Sequence, residues 1–140
     1  MKVEKYLQDI RDMKEKIDTL EKMKMEVKYN IGIIKSRIES DNVQHMLQRD
    51  KTENKIIRDY EKIKLIEKEI EEETVTYILK RKEAYDQIMK LKEGQCRRFL
   101  IDFFINGKNE IEIAYDYHFE NISSVYKLKH RAMNYFSKVV

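Results

Sequence analysis

The feature that most constrains this chain is a run of residues, nearly all apolar, at alternating steps of four and three. The positions are Tyr6, Ile10, Met13, Ile17, Leu20, Lys24, Val27, Ile31, Ile34 and Ile38. A stripe of that period describes one long α-helix that lies along its length against another helix. Lys24 is the polar member of the seam. Its plain reading is a stem lying along the seam with the ammonium in water; the other is a residue that fixes register or partner number. Gly32 falls inside the same helix, where it costs about 1 kcal/mol relative to alanine, so the helix can bend or fray there without ending.

From Glu39 to Lys51 the periodicity lapses, through Ser40-Asp41-Asn42, and reads as a connection. Asp50 with Glu53 three residues on offers the next helix start and Gly94 a helix end. Between them Ile56, Ile63, Ile70, Tyr77, Ala84 and Leu91 repeat every seventh residue. The companion line is mixed, since Tyr60, Glu67, Thr74, Arg81 and Ile88 differ in character. This second helix is therefore expected to be held less tightly than the first. The acidic run Glu67 to Glu73 and the basic run Lys80-Arg81-Lys82 read as solvated faces. The connection permits an antiparallel hairpin within one chain, and the first seam equally permits pairing between chains. A homodimer through Ile10, Met13, Ile17, Leu20, Val27, Ile31 and Ile34 is the favoured expectation.

Composition agrees with long helices. Of 140 residues 39% are charged, with no Pro, no Trp and three Gly, which describes extended helical segments better than a single compact globule. Cys96 stands alone and closes no intramolecular disulfide. The first residues mix charges without the apolar core of a signal peptide, and no apolar run approaches the roughly 20 residues of a membrane span. A cytoplasmic protein is expected. His45, His118, His130 and Cys96 are scattered without zinc-ligand spacing, and the glycines form no phosphate loop. No cofactor and no enzymatic activity are expected.

The last third of the chain carries a different pattern. A helix from Gln95 to Asn106, ending before Gly107, offers Phe99, Leu100, Phe103 and Phe104 as one wall of a core. Asn109 followed by Glu112 reads as a capping box for a short helix that turns Ile113 and Ala114 inward. A further helix from about 123 to 138 places Val125, Leu128, Ala132, Phe136 and Val139 on one side. Its opposite side carries Ser123, Lys127, His130, Asn134 and Lys138, flanked by Tyr126 and Arg131. From Ile122 to Val140 there are four Lys or Arg and no Asp or Glu, against a net charge of +3 for the whole chain. Such a concentration of positive charge suits a phosphate-rich partner. The expected fold is all-α: a coiled-coil arm of two long helices over 1–94, then a three-helix helix-turn-helix domain over 95–140.

These C-terminal residues also carry a family resemblance. The short apolar helix ending Ile-Asn-Gly, then Ile113-Ala114, a turn, Val125-Tyr126-Lys127-Leu128 and Arg131-Ala132-Met133 resembles region 4 of sigma-70-type factors. More narrowly, the chain resembles the ArpU-type late regulators of phages of Gram-positive bacteria and a neighbouring family of unknown function. Two positions depart from the pattern: His118 stands where the turn usually has Gly, and Tyr117 to Val125 is one residue longer than the common spacing. The resemblance implies a phage-encoded regulator acting in the host cytosol, with a second contact to RNA polymerase near a promoter.

Residues and resemblance together give the expectation of a sequence-specific regulator that reads the major groove of double-stranded DNA. Lys127, Arg131 and Lys138 would meet phosphate or guanine, and Ser123, Tyr126, His130 and Asn134 would meet base edges. The amides near Ser123 and Ser124 would face a phosphate. Lys129 lies toward the buried side. Two other readings use the same features: a DNA-packaging subunit like a small terminase, and a coiled-coil adaptor that binds host transcription proteins.

Overall fold

The structure, a computed structural model, describes the backbone of residues 2–40 and 46–140 and the side chains of 2–37, 51 and 53–140. All regular structure among these residues is helical: α1 (Lys2–Ser40), α2 (Met46–Ile88), α3 (Gly94–Leu100) continued by a π-helical turn (Ile101–Ile105), α4 (Glu110–Asp116) and α5 (Ser123–Val139). Two long helices followed by short C-terminal ones is the fold class the periodicities predict. No helix is long and apolar enough, among the described residues, to cross a membrane. Of the expected connection, residues 41–45, with His45, lie outside the described backbone. The side chains of Ile38 and Asp50 are also outside the described residues, and α2 is already helical at Met46, ahead of the Asp50 start.

The chain divides into two compact units, one made of Met1–Glu15 with Val75–Val140 and the other of Lys16–Thr74. In the second unit the seam is closed within the chain. Ile31 is buried with Ile56 and Ile63, and Val27 and Ile34 pack against that cluster. Lys16 Nζ meets Glu73 Oε1 at 2.8 Å while Lys35 Nζ donates to Tyr60 OH at 2.7 Å, so numbering that rises on α1 falls on α2 and the pair is antiparallel. Of the two pairings that the spacing leaves open, this one uses the seam inside one chain. Ile17 and Leu20 are buried in the same unit. Lys24 lies partly in the seam with its ammonium 3.1 Å from the Glu21 carboxylate. One feature was not expected: Asp59, between Ile56 and Ile63, is only 7% exposed, while its neighbour Tyr60 lies outside. Lys62 Nζ stands 3.7 Å from its carboxylate.

The unit that holds α3–α5 is wider than 95–140. Leu7 and Ile10 from the start of α1 and Tyr77, Ala84 and Ile88 from the end of α2 are buried within it, and Met13 is partly so. Gly94 is not the end of α2, which stops at Ile88; it is the first residue of α3. The reason is local, since Glu93 caps that helix by accepting from the amides of Gln95 at 3.2 Å and Cys96 at 2.7 Å. The aromatic wall forms as the spacing requires. Phe99 stacks on Phe103 at 5.5 Å and Phe103 meets Phe104 edge-on at 4.8 Å. Within the π-helical turn the Asn106 amide reaches back to the Ile101 carbonyl at 2.8 Å, and Gly107 then takes a left-handed φ of 75° that releases the chain toward α4.

Candidate nucleic-acid interface

Helices α4 and α5 form a helix-turn-helix whose joints follow from particular residues. Asn109 Oδ1 accepts from the Glu112 amide at 2.8 Å, the cap that the sequence offers at the start of α4. Ile113 is then fully buried and Ala114 partly so. At the other end His118 takes φ 58°. Its amide reaches the Tyr115 carbonyl at 3.2 Å and the Phe119 amide reaches Ala114 at 2.9 Å, the paired bonds of a helix closed by a left-handed residue. The position where the common pattern has glycine therefore keeps the glycine conformation with a histidine in it. Tyr117 fixes the turn from beneath by donating to Asp102 Oδ2 at 2.7 Å, with the Arg98 guanidinium 4.3 Å over its ring. Burial first, and Asp102 second, push its phenol well above the ordinary value of 10.0, so it remains a neutral donor.

Along α5 the inward residues are Val125, Leu128, Ala132, Met133 and Phe136, all buried. Val139, expected with them, is 37% exposed, because it is the last helical residue and lies beyond the final core contact at Phe136. The outward residues are as the periodicity places them. Ser123, Lys127, His130, Asn134 and Lys138 are exposed along one side, with Tyr126 and Arg131 exposed on its flanks and Ser124 partly covered. They form a continuous strip of hydroxyl, cationic, imidazole and amide groups. Lys138 Nζ stands 5.7 Å from the Tyr135 ring, which orients it without neutralising it.

Other cations of α5 have partners inside the unit. Lys129 is 3.6 Å from Glu4 and lies 5.0 Å from the Phe103 ring, on the buried side where its spacing puts it. Arg131 donates to Gln95 Oε1 at 2.5 Å, so a phosphate would have to compete with that amide. The start of α5 is also occupied. Asn121 Oδ1 accepts from the Ser124 amide at 3.3 Å and from the Ser123 hydroxyl, while the Val125 and Tyr126 amides reach the Ile122 carbonyl. The Ser124 amide that was expected to face a phosphate is therefore already bonded, and the hydroxyls of Ser123 and Ser124 donate to the same Asn121 oxygen.

Sequence reasoning missed two features of this surface. Glu4 and Gln95, remote in sequence from α5, select which of its cations stay open; nothing in local spacing signals that. Ile111 and Tyr115, one turn apart on α4, are 72% and 82% exposed. Their offset from Ile113 was the available signal. Among the described residues no group of three or more His, Cys, Asp or Glu converges in a way that could hold a metal ion. No protein-family model, no curated protein and no solved structure matches this chain.

Proposed function

We propose that this protein is a sequence-specific regulator of transcription, encoded by a phage or other mobile element, which lays α5 in the major groove of double-stranded DNA. The observation that carries the reading is the outward strip of α5: exposed Ser123, Lys127, His130, Asn134 and Lys138 on a helix that has no acidic residue. Lys127 and Lys138 contact phosphates or guanine, and Ser123, Tyr126, His130 and Asn134 read base edges. Ser124 lies at the edge of this surface, and Arg131 joins it once released from Gln95. The resemblance to sigma region 4 and to ArpU-type regulators supports the same reading and adds RNA polymerase as a second partner. Selection of duplexes from a random pool by the purified full chain, followed by titration at rising salt, tests it. A defined operator with steep loss of affinity supports the proposal, and salt-insensitive or undetectable binding refutes it.

A second reading rests on Ile111 and Tyr115, two apolar side chains one turn apart on α4 that are 72% and 82% exposed. Here the chain is an adaptor that binds a host transcription protein through α4. Co-purification of such a protein, abolished by Ile111→Asp with Tyr115→Asp in the absence of DNA binding, would select this reading.

A further inference from the structure

The unit that holds α3–α5 has a hollow of about 340 Å³ between the end of α2 and the π-helical turn. Ile78 and Tyr85, two turns apart on α2, form one wall, and Ile101 and Ile105, at the two ends of the π-helical turn, form the other. Ile78 is 57% and Tyr85 38% exposed, so the apolar lining stands open to solvent. The second wall departs from regular helix, because the Asn106 amide bonds the Ile101 carbonyl five residues back, and turns of this kind recur at functional sites. A concave volume of this size, mostly apolar and supplied with a few polar groups, has the form of a small-molecule site.

The polar groups identify the ligand. Arg81 and Lys82 both border the hollow, but their charges are met differently. Lys82 Nζ lies 2.7 Å from Asp86, which supplies its counter-charge. Arg81 is partly buried, and its guanidinium donates only to neutral acceptors, from Nε to the Ile105 carbonyl at 3.3 Å and from Nη2 to Asn106 Oδ1 at 3.4 Å. Among the described residues no carboxylate forms an ion pair with it, and Nη1 has no hydrogen-bond partner. Asp102, on the same turn, accepts from Tyr117 instead. A half-covered guanidinium with an open edge and no counter-ion matches a carboxylate in both charge and shape. Three of the four wall residues are isoleucine, which suits an aliphatic body beside that charge. We infer that the hollow binds a small aliphatic carboxylate, its chain between Ile78, Tyr85 and the π-helical turn and its carboxylate on Arg81. The site is separate from the outward strip of α5 and does not depend on how that strip is used.

Isothermal titration of the full chain with submicellar octanoate tests the inference, beside octanamide, which has the body without the charge, and acetate, which has the charge without the body. Saturable one-to-one binding of octanoate is expected, about tenfold or more tighter than that of octanamide, with none of acetate. Arg81→Gln keeps a donor for the Ile105 carbonyl and should weaken octanoate by about tenfold while leaving octanamide unchanged. Ile78→Asp should weaken both ligands, whereas Leu79→Asp, at an exposed neighbour outside the hollow, should change neither. Far-UV circular dichroism checks that each variant keeps its helices. No saturable binding of octanoate, equal affinity for octanamide, or binding that Arg81→Gln and Ile78→Asp leave unchanged overturns the inference. So does a dimer of the chain that is lost in Ile78→Asp, because a second copy would then fill the hollow.

Discussion

His118 and Glu93 show how single residues set the frame on which α5 is carried. A non-glycine residue in the left-handed region carries about 1–2 kcal/mol of strain, and His118 sits there with its side chain exposed. His118→Gly is therefore expected to stabilise the protein by about 0.5–1 kcal/mol, part of the relief being offset by the greater freedom of glycine when unfolded. Urea unfolding measures it, and an unchanged midpoint would mean the strain is absorbed elsewhere. Glu93 is a cap with a pH dependence. The thiol and amide of Cys96 hold its carboxyl below the ordinary value of 4.5. A depressed folded pKa means the contribution is complete above that ordinary value and is lost as pH falls through the folded one. Glu93→Gln should flatten the stability profile in that acid window, and Glu93→Ala should cost about 1 kcal/mol at neutral pH. Denaturant unfolding between neutral and acid pH reads both.

At the scale of elements, the legible parts were those fixed by period. The α1 seam from Ile10 to Ile34, the sevenfold line of α2 from Ile56 to Ala84, the aromatic wall of Phe99, Phe103 and Phe104 and the inward side of α5 as far as Phe136 follow from spacing, because burial of one helix face constrains which residues point in; buried Leu7, off the seam, does not. What spacing did not reveal was decided by contacts distant in sequence or by conformation at a joint. Gly94 looked like a stop because glycine commonly is one, yet the carboxylate before it makes a start. Asp59 was invisible as a seam residue because a carboxylate reads as solvent-facing, and its burial between two isoleucines is a liability. Asp59→Leu should stabilise the antiparallel pair by about 1 kcal/mol or more, whereas Ile31→Ala should destabilise it by about 2–5 kcal/mol. Thermal unfolding with helicity as readout distinguishes these directions. The burial of Leu7, Ile10, Ala84 and Ile88 in the C-terminal unit also means that deleting residues 1–93 would strip part of its core. Substitutions on α5 isolate its surface more cleanly.

For the whole molecule, a net charge of +3 says little, since acidic and basic residues are almost balanced. The informative quantity is where positive charge is left open, and α5 has it at Lys127 and Lys138 while Glu4 holds Lys129 and Gln95 engages Arg131. Composition alone could not separate these, because each pairing joins residues far apart in the chain. The most direct test of the account is the salt dependence of binding to the selected duplex, measured for the wild-type chain and for Lys127→Ala with Lys138→Ala. If α5 lies in the groove, the double variant binds more weakly and the slope of log affinity against log salt falls by about two. Unchanged affinity and slope, with the fold intact, would contradict the assignment of that surface to DNA.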